Sequence, residues 1–269
     1  MARRAEWATA LVVGGLSSAL AVPVAAKDSE GPPMPEPVIG ETITDIDRAE
    51  SGELELDLTG SFARARTGAT AWSSSLEVEW GATEGLGLAL ETGVTFPPDT
   101  GTEFTGSAGV SYGLIHDRTH DFHLQIEGRA RLWGSAAETI SVTDPGDSTM
   151  RLAFGVRLGF RRGVWTLRAG LGAEAVGESA HPVPVWASLS GFLSFGPDGR
   201  LGFVGLDLDG NWARRAPLLL APTVVFILGS AVSSPIRIGA AFPVSPGGQG
   251  IPASYGAILR FIYEPTMGG

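Results

Sequence analysis

RLAFGVRLGFRRGVWTLRAGLGAEA, residues 151–175, alternates with a period of two. Leu152, Phe154, Val156, Leu158 and Phe160 share one face, while Arg151, Arg157 and Arg161 share the other with small Ala153, Gly155 and Gly159 between them. A tight turn at Arg162-Gly163 follows, and the alternation resumes in Trp165, Leu167, Ala169 and Leu171. Successive side chains of a strand point to opposite faces, so this is a hairpin with one wholly apolar face. A soluble sandwich buries its apolar face in a dry core and turns polar groups to water. Arginine and glycine together on the hidden face fit a wet lumen, with the apolar face in lipid. The pattern therefore predicts a transmembrane barrel if it recurs.

It recurs about a dozen times from Gly52 onward. Strand one sets Leu54, Leu56 and Leu58 against Glu53, Glu55 and Asp57; strand two sets Trp72, Leu76, Val78 and Trp80 against Glu77 and Glu79. Strand three sets Leu86, Leu88 and Leu90 against Ala89 and Glu91; strand four sets Phe104, Ala108, Val110, Tyr112 and Leu114 against Ser107, Gly109 and Ser111. Strand five sets Phe122, Leu124, Ile126, Ala130 and Leu132 against His123, Gln125, Glu127, Arg129 and Arg131. The opening hairpin is strands six and seven, and strand eight carries Val185, Ala187, Leu189, Leu193 and Phe195. Strands nine to twelve fall at about 200–209, 217–228, 235–242 and 254–264, with the phase of nine to eleven open because both faces are apolar. The expected fold is all-β: an antiparallel up-and-down barrel of about twelve strands (roughly 10–14), since a span takes ~9–11 residues plus a turn.

Short turns at 82–85, 116–121, 161–163, 196–200 and 229–234 alternate with longer connections at 97–103, 134–149, 177–184, 209–217 and 243–254. That alternation fits short periplasmic turns and longer outer loops, with both termini in the periplasm. Trp72, Trp80, Phe96, Phe104, Tyr112, Phe122, Trp133, Trp165, Phe195, Phe261 and Tyr263 lie mostly near strand ends on the apolar face, where interfacial girdles belong.

Bulk composition narrows the class. The 269 residues suffice for one barrel domain. The absence of cysteine excludes a thiolate metal site and a disulfide framework. A net charge of −10 argues against nucleic acid as a partner. Arg3 and Arg4, the apolar stretch from Trp7 to Val22 and the small residues Val24-Ala25-Ala26 read as a signal peptide over 1–26. Residues 27–50, with Pro32, Pro33, Pro35 and Pro37, read as a polar periplasmic extension. The barrel is then 51–264, with a tail at 265–269, and the expected location is the outer membrane of a Gram-negative cell.

The run ESGELELDLTGSFARAR (50–66) followed by SLEVEWGATEGLGLALETGVTF (75–96) resembles the outer-membrane barrels of the phenol-degradation meta-pathway (MetA-type) family. Glu50, Gly52, Glu55 and Leu56 match the family's first strand; Trp80, Gly81, Ala82, Thr83 and Glu84 match its turn; Leu86, Leu88, Gly93 and Phe96 match its third strand. The resemblance covers roughly 41–96, and the EPTMGG ending after Phe261 and Tyr263 departs from the usual terminal aromatic. It implies an outer-membrane channel or transporter, with hydrophobic or aromatic compounds as permeants, and supplies no catalytic residue.

The candidate lumen-lining residues are Glu53, Glu55, Asp57, Glu77, Glu79, Glu91, His123, Glu127, Arg129, Arg131, Arg151, Arg157 and Arg168. Acids gather on strands one to three and arginines on five to seven. Two arrangements follow: a transverse field across open water, or direct pairing that cross-braces a narrow barrel. One row of the 217–228 strand must also face inward, giving an apolar stretch of wall, against which residues 27–50 would be able to plug. An enzyme is not expected. The four histidines His116, His120, His123 and His181 have no serine and acid at recognisable spacing, and no G-x-S-x-G, H-E-x-x-H or phosphate loop occurs. His116, Asp117, His120 and Asp121 read as charged turn residues rather than metal ligands, and no cofactor is called for. The expected partners are outer-membrane lipid and a small permeant. A structural or adhesive barrel with a sealed lumen is the rival reading, and an outer-membrane hydrolase a more distant one.

Overall fold

The computed structural model describes residues 51–96, 101–117, 121–133, 151–176, 185–197, 200–211, 218–230, 233–247 and 252–265. The signal peptide and Pro-rich extension read from the sequence, His120, His181 and most of the longer connections lie outside them. The strands are β1 (Leu54–Ala65), β2 (Thr70–Thr83), β3 (Leu86–Phe96), β4 (Glu103–Asp117), β5 (Phe122–Trp133), β6 (Arg151–Arg162) and β7 (Trp165–Val176). They continue as β8 (Val185–Phe195), β9 (Gly202–Asn211), β10 (Leu219–Ser230), β11 (Ser233–Ala241), β12 (Val244–Ser245) and β13 (Ser254–Tyr263).

β1 to β11 pair antiparallel in sequence order, β13 pairs with β11 and β12, and β1 pairs with β13 from Leu56↔Tyr263 to Ala65↔Ser254, which closes the sheet. β12 is not a separate stave. Thr223 of β10 pairs with Ala241 of β11 and Leu220 with Val244 of β12, one unbroken register across Phe242–Pro243. The barrel thus has twelve staves, the last but one interrupted where Pro243 has no N–H to give. Followed once around the ring, the register returns to β1 displaced along the strand. With ~3.3 Å per residue and ~4.8 Å between strands, that displacement corresponds to a tilt of about 40° and a backbone radius of roughly 12 Å.

The opening hairpin turns at Gly163–Val164, one residue later than the sequence reading placed it, because Arg162 still pairs with Trp165. Gly163 has φ +62°, the value a II′ hairpin requires at its first central position. Between β4 and β5 two bulges shift the phase: Leu132 is the extra residue on β5 opposite Gly106/Ser107, and Leu114 is the extra residue on β4 between Gly113 and Ile115, near the rim that carries the Gly163 turn. The second leaves both Leu114 and Ile115 exposed and carries β4 on to Asp117.

The outer face is an apolar belt: Leu58, Leu90, Phe104, Phe154, Leu171, Leu189, Phe226, Leu228 and Leu259 are all exposed. An exposed apolar band of this extent is costly in water and is the lipid-facing surface of a transmembrane barrel. Trp72, Trp80, Phe96, Phe104, Tyr112 and Trp165 extend the band on that same face. Leu171, 60% exposed midway along β7, tests the assignment. Leu171→Arg is expected to lower stability by ~2–4 kcal/mol, measured by urea unfolding from lipid vesicles.

Candidate functional site

The other face is buried, and its charged groups reach one another over long distances around the ring. The Arg129 guanidinium on β5 pairs with Glu77 on β2 at 3.2 Å and with Glu91 on β3 at 2.8 Å. Three strand spacings separate β5 from β2, about 14 Å along the sheet. Side chains converge over such a gap only on the concave side, so the buried charged rows point into the barrel.

The sequence-derived residues are placed as follows. Glu55, Asp57, His123, Glu127, Arg129, Arg131, Arg157 and Arg168 are buried. Glu53, Glu77, Glu79 and Glu91 are half-buried. The Arg151 side chain lies outside what the structure describes. The acidic and basic rows pair directly. Besides Arg129 with Glu77 and Glu91, Arg157 pairs with Glu127 at 2.8 Å, and Ser107 donates to Glu91 at 3.2 Å while accepting from Arg129 Nε at 3.0 Å. Ser61 and Ser73 meet through their hydroxyls between β1 and β2. Of the two arrangements open from the sequence, this is the braced one: each acid–base contact named here neutralises a charge that would otherwise project into the interior.

Two arginines not singled out from the sequence anchor the closing seam. Arg237 of β11 pairs with Glu55 of β1 at 2.6 Å and with Glu264 just beyond β13. Arg260 of β13 pairs with Asp57 of β1. The signal was present in Ile236-Arg237-Ile238 and Leu259-Arg260-Phe261, each an arginine between two apolar neighbours. It was masked by the uncertain phase of the neighbouring strands.

That phase is now fixed. Leu219, Ala221, Thr223 and Val225 of β10 face inward, and Leu220, Phe226 and Leu228 face outward. Phe192, Phe203, Leu219, Ala221, Val225, Ala241 and Ile258 form one buried apolar cluster along β8 to β13, with Phe192 and Phe203 in edge contact at 5.4 Å between ring centroids. Within this wall Thr223 donates to Asp207 at 2.6 Å. The interior is therefore two-sided: paired charges line β1 to β7 and the closing seam to Arg260 and Arg237, and an apolar cluster runs along β8 to β13.

The histidines correct the sequence reading. His116 does not sit in a turn; it is in β4, and its Nδ1 lies 2.8 Å from Nδ1 of His123 in β5, sharing a hydrogen bond. The bulge at Gly113/Ile115 turns His116 to the inner face, which an unbroken alternation would not do. Asp121, at φ 48°, marks the turn and pairs with Arg161 at 3.2 Å.

No protein-family model and no curated protein matches the sequence. Among solved structures the chain is similar to the COG4313 outer membrane channel from Pseudomonas putida F1, with a TM-score of 0.57 and 12% identity over 86% of this chain and 99% of that one. It is also similar to the beta domain of the Bordetella autotransporter BrkA, at a TM-score of 0.46 and 10% identity over 80% of this chain and 99% of that one. The translocator domain of the autotransporter NalP from Neisseria meningitidis follows at 0.40 and 13%, over 79% of this chain and 88% of that one. At 12% identity the first of these likenesses establishes a shared fold: a closed outer-membrane-type β-barrel.

Proposed function

We propose that this protein is an outer-membrane channel for small solutes, with apolar or aromatic solutes favoured. The carrying observation is the two-sided interior of a closed, lipid-belted barrel. The acids and arginines of β1 to β7 and of the closing seam pair with one another, so they do not demand a charged permeant, and the cluster along β8 to β13 offers an apolar surface along the same passage. In this reading Glu53, Glu55, Asp57, Glu77, Glu79, Glu91, His123, Glu127, Arg129, Arg131, Arg151, Arg157 and Arg168 line the lumen. Residues 1–26 are the export signal, 27–50 a periplasmic extension, and the protein is not an enzyme. The MetA-type resemblance and the likeness to an outer membrane channel support the same reading.

The sealed structural barrel has one observation in its favour: the charges brace rather than face open water, and a radius of roughly 12 Å leaves little free cross-section. Reconstitution into planar bilayers separates the two. The channel reading expects discrete low-conductance steps, together with uptake of a monoaromatic solute into proteoliposomes faster than of a sugar of similar mass. Silent bilayers and impermeable liposomes would establish the sealed barrel.

A further inference from the structure

Trp186 projects from β8 into the barrel and is 6% exposed. Its ring lies across the inner surface of β6 and β7, where three inward positions carry no side chain. A Cβ on Gly155 would come within 2.5 Å of the ring, one on Gly170 within 2.9 Å, and one on Gly172 closer still. Glycine weakens a strand through its conformational freedom and its missing side chain, so three together under one ring mark a place built for close approach. The Arg157 guanidinium stands over the ring at 5.8 Å from its centroid, held there by Glu127. The result is a flat slot with a glycine floor and a cationic roof, the geometry that accepts a π-face. The indole N–H of Trp186 is buried in this slot and has no hydrogen-bond partner among the described residues. A buried tryptophan N–H ordinarily finds one, so the ring is housed by the shape of the slot without its polar edge being satisfied.

We propose that the glycine floor beneath Arg157 is a binding subsite for a planar aromatic ring on the permeation path. Trp186 fills it in the empty protein and yields it to a passing ring. The proposal rests on the channel reading for its role in transport, but the subsite itself does not require conductance. A ring entering the slot gains the guanidinium face and the apolar contact that Trp186 gives up, so exchange is close to neutral and transit is not trapped.

The test is refilling of the slot by free indole. Trp186→Ala is expected to bind about one indole per barrel by calorimetry in detergent, at least tenfold more tightly than the unaltered protein, whose own ring competes. Cyclohexanol, of similar bulk but without a π-face, is expected to bind at least tenfold more weakly than indole. Trp186→Ala combined with Gly155→Val, which fills the floor with a residue that strands favour, is expected to abolish binding. The folded state of each variant is checked by its mobility before and after heating. Absence of indole binding in folded Trp186→Ala, or binding unaffected by Gly155→Val, would overturn the subsite. Indole binding by a protein that conducts nothing would preserve the subsite and overturn the channel.

Discussion

Arg237→Leu is expected to lower the stability of the barrel by about 3–5 kcal/mol, the loss that follows when a buried ion pair is stripped of one partner. Arg237 is 1% exposed and serves two carboxylates, Glu55 and Glu264, from the strand beyond β13. Without it both acids lose the guanidinium that joins them at the closing seam, and the open sheet loses a reason to close. Lysine retains the charge but not the planar fork of donors, so Arg237→Lys should fall between the two. Adding Glu55→Gln to Arg237→Leu should recover part of the loss, because an amide needs no counter-ion. Urea titration, following the mobility difference between folded and heated protein, checks all three variants.

Phe192→Ala is expected to act on both stability and passage. Phe192 is 1% exposed, lies against Gly205 where a Cβ would overlap its ring, and meets Phe203 edge to face. Truncation of a phenylalanine so buried costs about 3–5 kcal/mol. It also removes an aromatic ring from the apolar wall, so the surviving folded barrels should conduct more ions per opening while discriminating less in favour of aromatic solutes. Single-channel recording measures the first effect and liposome uptake the second. Loss of stability with unchanged conductance would place Phe192 away from the passage.

The first seven strands were legible in the sequence because each had one polar or small-residue row and one apolar row. Asp57 against Leu58, or Arg157 against Leu158, leaves no choice of phase. The later strands were legible in position but strands nine to eleven not in phase, since β9 and β10 present apolar side chains both to lipid and to the inner cluster: Phe203 and Val204, Leu219 and Leu220. An alternation rule has no contrast to read where both environments are apolar. For the same reason the sequence sets Glu55 and Asp57 against the arginines of strands five to seven, whereas in the fold they meet Arg237 and Arg260 across the seam. His116 was misplaced for a different reason: a bulge changes phase inside a strand, and only the ladder reveals it. Trp186 does not stand out in the sequence, because the outward row Val185, Ala187 and Leu189 is enough to define the strand and says nothing of what the inward row carries.

The charges at the seam also govern which edges are able to join. Before closure, β1 and β13 are free edges, each an open template for another chain. Two copies meeting β1 to β1 would set Glu55 and Asp57 near their own counterparts, and two meeting β13 to β13 would set Arg260 near Arg260. Like charges facing across a strand pair are unfavourable, and opposite charges are not. β1 against β13 is the combination in which the carboxylates meet the guanidiniums. Within one chain that encounter has the advantage of effective concentration over the same encounter between two chains. The seam thus carries an instruction about self and other: it closes a single polypeptide into a ring and disfavours pairing of like edges from separate copies.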